Sequence, residues 1–166
     1  MYAGSVIIRR AEVKDGEAIL AMARELAAAV EDPAPRLDVL RLVENALGDG
    51  RWGDCFIVER DGSPVGYALA CRAFEIHTGE RRLWLGDLYV RPEARRSGIG
   101  RALIAAVAQH ALTLGCSALY WELWRENGLG ETFYRELEAE CAEDLAIFRL
   151  GAQRLVELAR ERQAQP

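Results

Sequence analysis

The chain is 166 residues long, 51% hydrophobic and 28% charged, a length that suits one domain able to bury its own core without disulfide or metal staples. Its 26 acidic and 21 basic side chains leave a net charge of −5, which disfavours a nucleic-acid partner held by phosphate neutralisation and suits cationic small molecules. The longest apolar run, 102–108, is far shorter than the roughly 18 residues a membrane helix needs, and residues 1–10 carry no apolar signal segment, so a cytoplasmic protein with no membrane partner is expected.

Residues 5–10 read as a short strand and 15–30 as a helix, with Ile19, Leu20, Ala23, Leu26, Ala27 and Val30 on the helical period. Pro33 and Pro35 break it. A second helix is expected over 37–47, with Leu40, Val43 and Leu47 on one face and a stop at Gly48; the glycine-rich stretch 48–53 is a loop. Strands at 55–60 and 65–74 are joined by Asp61-Gly62-Ser63-Pro64, whose Asp-Gly pair signals a hairpin. After a polar turn at 77–80 comes a strand over 82–90, ended by Pro92 because proline cannot donate to a ladder. A helix from Gly98 to Leu114 places Ile99, Leu103, Val107, Ala111 and Leu114 on one face, with Gly115 behind it. The remainder reads as a strand at 118–123, a short helix at 131–137, a last strand at 143–150 and a last helix at 153–162. Helices alternating with a strand meander predict a single α/β layered domain over 1–166.

Cys55, Cys71, Cys116 and Cys141 form no C-x-x-C pair and read as reduced, mostly buried thiols. His77 and His110 are too far apart in sequence to build a zinc site, and no metal is expected. The informative segment runs from Leu85 to Leu103: an apolar strand, a basic loop, two glycines and a helix. A helix N-terminus leaves about four backbone N–H groups unpaired and carries roughly +0.5 charge, so glycines before it let a phosphate approach closely. Arg95, Arg96 and Arg101 add side-chain charge there, giving a pyrophosphate cradle. A dinucleotide fingerprint fails because Leu103 stands at its third glycine, and no P-loop string is present.

Arg95-Arg96-Ser97-Gly98-Ile99-Gly100 matches the coenzyme A loop Q/R-x-x-G-x-G/A of the GCN5-related N-acetyltransferase (GNAT) superfamily, and Asn127 with Phe133-Tyr134 matches its N-x-x-x-x-x-F-Y spacing. The sequence resembles that superfamily along nearly the whole chain. Asp87-Leu88-Tyr89-Val90 and the tail from Phe148 to Ala159 look most like its diamine (spermidine/spermine) N-acetyltransferase group. The resemblance implies a central mixed, mainly antiparallel sheet with helices on both faces, acetyl-CoA as co-substrate, a small-molecule amine as acceptor and a homodimer.

It also implies roles. Backbone amides from Arg96 through Ser97, Gly98, Ile99 and Gly100 to Arg101 would hold the pyrophosphate, with Arg95 adding charge. The backbone of Leu88 and Val90 would pair with pantetheine as a strand would, Asn127 would hydrogen-bond it, and the N–H of Tyr89 or Val90 would polarise the thioester carbonyl. Tyr134 is the candidate general acid, since a phenol of pKa about 10 suits a thiolate leaving group. Asp87 is the candidate base for the acceptor ammonium, and Glu75, Glu122 and Glu31 are candidate contacts for a polycation. The chain departs from the group at Gly86, where diamine enzymes tend to carry a second acid. It departs again at Gly130-Glu131 and Glu138-Ala139, so that 136–143 reads as a longer loop. The expected activity is acetyl transfer to a primary amine by direct attack in a ternary complex. The alternatives are a non-catalytic acyl-CoA-binding module or a peptide or protein N-acetyltransferase.

Overall fold

The computed structural model describes residues 5–163 and forms two compact units, one ending at Asn127 and one beginning at Gly128. The first holds five strands, β1 (Val6–Arg10), β2 (Gly53–Arg60), β3 (Ser63–Glu75), β4 (Glu80–Val90) and β5 (Ala118–Tyr120), in the order β1-β2-β3-β4-β5. The first four are mutually antiparallel, and β5 runs parallel to β4. The mixed, mainly antiparallel sheet expected from the resemblance is present.

Strand alternation divides the core into two layers. Phe56, Val58, Ala68, Ala70, Leu83 and Leu85 face helix α3 (Ile99–Thr113), which presents Ile99, Leu103, Val107 and Ala111 at the helical period. Cys55, Ile57, Tyr67 and Tyr89 face the opposite way, toward Ile19, Leu20 and Met22 of α1 (Gly16–Ala29) and Leu42 of α2 (Val39–Leu42). Residues 53–58 are all buried because β2 is covered on both faces. The hairpin turn between β2 and β3 puts Asp61 at φ 54° and Gly62 at φ 77°, the paired positive angles that Asp-Gly tolerates and that match strand twist.

Several boundaries differ from expectation. The helix predicted over 37–47 begins at Val39, where the Asp38 side chain accepts from the Arg41 N–H at 2.8 Å. Its second half, Val43–Leu47, widens into a π turn closed by the Gly48 N–H on the Val43 carbonyl. The buried stripe is therefore Leu42, Ala46 and Leu47, and Leu40 is 75% exposed. The strand predicted at 118–123 stops at Tyr120.

In the second unit the short helix α4 spans Gly128–Arg135, earlier than 131–137, and α5 spans Ala152–Gln163. The strand predicted at 143–150 does not form: the segment is irregular, with Phe148 94% exposed. A strand exists only with a partner for its backbone groups, and this segment, with Ile147 its sole β-branched residue and Glu143-Asp144 at its start, has little intrinsic drive toward one. Cys55 and Cys116 are buried, Cys71 is half-buried and Cys141 exposed, all four as free thiols. No helix among the described residues is long and apolar enough to cross a membrane.

The α3 face of the sheet carries one buried charge cluster. Asp54, 1% exposed, meets Arg10, Arg51 at 2.8 Å, Arg72 at 3.3 Å and His110 Nε2 at 2.6 Å. Burial and the three guanidinium groups hold the His110 pKa below its ordinary value, so the ring is neutral at pH 7 and its Nε2–H donates to Asp54. Removing the carboxylate leaves these donors facing one another over an apolar layer. Asp54→Ala is expected to lower the unfolding free energy by about 3 kcal/mol in urea titration; a loss below about 0.5 kcal/mol would show the cluster to be idle. Because the unfolded chain binds a proton at His110 more readily than the folded chain, stability should decline as pH falls below about 6.5. His110→Gln should flatten that slope.

Candidate active site

The site begins with an irregularity in β4. Leu69 of β3 pairs with Asp87, but the next residue, Ala70, pairs with Leu85, so Gly86 is an extra residue bulged out of the ladder. Before the bulge Leu83 and Leu85 face α3; beyond it Leu88 and Val90 pack on that layer. Asp87 and Tyr89 are thereby turned to the α1 side. Were Gly86 paired in regular alternation instead of bulged, Asp87 would share the side of Leu83 and Leu85. Burial raises the Asp87 carboxyl above its ordinary pKa, with no basic side chain offsetting it among the described residues, and Asp87 in turn raises the Cys55 thiol, which burial has pushed up to about 12.

β5 covers the outer edge of β4 only at Arg82, Leu83 and Trp84. From Leu85 to Val90 that edge has no partner strand among the described residues, which leaves backbone groups available to an extended ligand. The end of β4 is tied down on the other side. The Arg91 guanidinium donates to both Glu25 oxygens of α1, at 2.9 and 3.1 Å, and to the Pro64 carbonyl at 2.9 Å, and the Tyr89 hydroxyl donates to Glu25 at 3.1 Å. Glu25 is held below the ordinary carboxylate range chiefly by Arg91.

Beyond Arg91 the chain makes one 3₁₀ turn, Pro92–Ala94, and then the loop predicted to hold phosphate. Ser97 Oγ donates to the Ala94 carbonyl at 2.6 Å, Arg95 Nε donates to the Val90 carbonyl at 2.8 Å, and the Arg95 guanidinium carbon lies 5.8 Å from the Tyr89 ring centre. Gly98 caps α3 at φ 82°, a left-handed conformation that costs an L side chain about 1–2 kcal/mol. The first helical bond runs from the Ala102 N–H to the Gly98 carbonyl at 3.0 Å, so the amides of Ile99, Gly100 and Arg101 lie ahead of it at the positive end of the helix. Arg95, Arg96 and Arg101 are exposed around them, and the Ile99 side chain is buried in the core.

Asp87, Leu88, Tyr89, Val90 and residues 95–101 therefore lie on consecutive pieces of one strand–loop–helix unit. Glu75 sits at the far end of the β3–β4 hairpin, ion-paired with Arg82 and away from Asp87. Glu122 is exposed beyond β5, and Glu31 is exposed behind α1 at φ 56°, in the place glycine often takes. Asn127 closes the first unit, its N–H donating to the Trp124 carbonyl at 2.9 Å. In the second unit Tyr134 lies on α4 with its ring 5.1 Å from that of Phe133, and burial raises its phenol above the ordinary pKa. Sequence reasoning missed Glu25, Tyr67 and the bulge; a lone glycine within a strand pattern was the available sign of the last.

The chain matches the Acetyltransferase (GNAT) family over residues 19–138. It is 34% identical over 171 residues to a thialysine N-epsilon-acetyltransferase of Sus scrofa, covering 93% of this chain and 98% of that protein. It belongs to the GNAT family. A spermidine/spermine N(1)-acetyltransferase-like protein 1 of Homo sapiens is 27% identical over 93% of this chain and 24% of its own length, so relatives of the polyamine type stand beside it. Among solved structures, an aminoglycoside N-acetyltransferase in complex with CoA superimposes with a TM-score of 0.72 at 22% identity, over 89% of this chain and 96% of that one. This GNAT enzyme is an N-acetyltransferase, and its co-substrate is acetyl-CoA. The open β4 edge, the glycine-led start of α3 and the surrounding arginines fit such a co-substrate, supplying strand pairing for an amide-bearing arm and donors for a pyrophosphate.

Gly98→Ala should force the αL cap to shift and weaken CoA binding at least tenfold, about 1.4 kcal/mol, in calorimetric titration. Unchanged affinity would remove the α3 N-terminus from the binding surface.

Proposed function

We propose that this N-acetyltransferase moves the acetyl group of acetyl-CoA to a primary amine of a small molecule, in the class of diamines, polyamines and lysine-like amines, by direct attack in a ternary complex. The observation that carries the reading is Asp87. The bulge at Gly86 turns its carboxylate out of the α3 layer, and burial without a compensating cation makes it both an attractive counterion for an ammonium and a stronger base than a solvated aspartate. Once neutral, the amine nitrogen attacks the thioester carbonyl, and the thiolate leaves with a proton.

Each protein group then has one task. Asp87 takes the ammonium proton. The backbone of Leu88, Tyr89 and Val90 meets the pantetheine arm and the thioester oxygen, with Asn127 hydrogen-bonding the arm. The amides and arginines of 95–101 hold the pyrophosphate. Tyr134 gives the thiolate its proton, which its raised pKa keeps in place at neutral pH, and regains one from the second N–H bond that breaks as the nitrogen becomes an amide. Glu31 and Glu122 serve as exposed carboxylates for the far end of a polycation; Glu75, engaged with Arg82, is the weakest member of that set. At Gly86 a Cβ would meet only Leu69 atoms, at 3.8 and 3.9 Å, so there is room here for the second acid that diamine enzymes tend to carry.

Thiol release from acetyl-CoA, followed against a panel of amines, should be strong for one small-amine class and absent without an amine, with intersecting initial-rate patterns. Release of one equivalent before amine is added would replace direct attack by an acyl-enzyme route. Tyr134→Phe should lower kcat about 100-fold. The rate should fall as pH drops through the raised pKa of Asp87, since only the carboxylate accepts the proton, and Asp87→Asn should remove that limb. Gly86→Glu should improve kcat/KM for diamines over monoamines by about tenfold, and an unaltered ratio would place the diamine-selecting charge elsewhere.

A further inference from the structure

Tyr67 is 2% exposed, and its hydroxyl is buried with no hydrogen-bond partner in the described structure. A buried polar group left this way costs roughly 1–3 kcal/mol relative to a satisfied one, and a phenylalanine would fill the same space without that penalty. The register shows what the hydroxyl shares its surroundings with. Tyr67 pairs with Tyr89 and Leu69 with Asp87, so Tyr67 and Asp87 are diagonal neighbours on the α1 side of the sheet, within the reach of an aromatic side chain. The two tyrosine rings lie 6.3 Å apart, yet only Tyr89 has its hydroxyl occupied, by Glu25. Burial first, and the Asp87 charge second, keep the Tyr67 phenol protonated. The Cys55 thiol on the same face is also neutral. The face thus holds one uncompensated carboxylate and one idle phenol, while its guanidinium groups are engaged elsewhere, Arg91 with Glu25, Arg9 with Asp15 and Glu59, and Arg95 with the Val90 carbonyl over the Tyr89 ring.

We propose that the Tyr67 hydroxyl, together with Asp87, holds the ammonium of the acceptor amine. This rests on the reading of Asp87 as the group that receives the amine proton. The phenol oxygen accepts a hydrogen bond from the ammonium N–H while its own O–H donates toward the carboxylate. When the N–H bond breaks, that proton passes to the phenol oxygen and the phenol proton passes to Asp87. Tyr67 is unchanged, Asp87 becomes the neutral acid, and the nitrogen keeps its electron pair for attack on the thioester. A hydroxyl that finds no partner within the protein is thereby satisfied by substrate.

The test is Tyr67→Phe, compared with the native enzyme in steady-state transfer to thialysine and to putrescine, in CoA titration and in thermal melting. The expected result is a fall in kcat/KM for the amine of roughly 10- to 100-fold, with CoA affinity unchanged and the melting temperature equal or higher, since no protein hydrogen bond is lost. Activity within twofold of the native enzyme overturns the proposal. So does a loss of activity accompanied by weaker CoA binding and a lower melting temperature, which marks the phenol as structural. If the native enzyme transfers acetyl to neither probe, the reading of Asp87 as base toward these amines falls separately. The melting shift produced by each probe in the presence of CoA then decides Tyr67: a shift lost in the variant supports the amine contact, and equal shifts in both proteins, zero included, overturn it.

Discussion

Because a strand sends alternate side chains to opposite faces, the extra residue at Gly86 decides which chemistry Asp87 meets. In an unbroken β4 it would follow Leu83 and Leu85 into the layer covered by α3, a place for an aliphatic side chain. The bulge reverses the alternation at that point, and Leu88 and Val90 resume the α3 layer while Asp87 and Tyr89 look toward α1. The same stretch of β4 has β5 beside it only before the bulge. One irregular residue thus coincides with a strand edge left open and with a carboxylate lifted out of an aliphatic layer, the two features on which the proposed acetyl transfer along this strand relies.

The sheet handles its two inward carboxylates in opposite ways. Asp54, on the α3 side, is surrounded by Arg10, Arg51, Arg72 and the neutral His110, with every contact a hydrogen bond or ion pair. Such a group is inert: its charge is spoken for and its environment has more donors than it can accept. Asp87, on the α1 side, has burial without a cation. Desolvation disfavours its charged form, and an arriving ammonium relieves it. The unsatisfied Tyr67 hydroxyl lies on that second side too. Asp54 is fully paired, whereas Asp87 and the Tyr67 hydroxyl are left wanting on the side where the acceptor amine is proposed to bind, a local loss of stability of the kind that functional sites carry.

Much of this was legible in the residues. The apolar stripe Ile99, Leu103, Val107, Ala111 gave α3 to within a residue, the Asp61-Gly62 pair gave the β2–β3 hairpin, and Pro92 marked the end of β4. These signals are local, carried by period and turn chemistry. The segment 143–150 failed for the complementary reason: its strand was read from a stretch with little propensity behind it, and pairing is a property of two segments at once. The stripe on 37–47 was displaced because the π turn at Val43–Leu47 adds a residue that a regular period cannot anticipate. The loop at 95–101 and Asp87 could be proposed from the motif, whereas Glu25 and Tyr67 could not, since what singles them out is a contact across 66 positions to Arg91 and a buried hydroxyl without a hydrogen-bond partner in the described structure.

The loop before α3 has its own internal tension. Arg96 holds φ 57° and Gly98 φ 82° within three residues, and for arginine the left-handed region costs about 1–2 kcal/mol that glycine at the same place would avoid. The conformation is sustained by its supports: Ser97 fastened to the Ala94 carbonyl, Arg95 to the Val90 carbonyl, and Arg91 anchored to Glu25 and Pro64 just upstream. A glycine at 96 would relax the backbone but leave the helix start with one guanidinium fewer. Keeping arginine there trades backbone ease for positive charge beside the α3 amides, a trade that suits the pyrophosphate proposed for this loop.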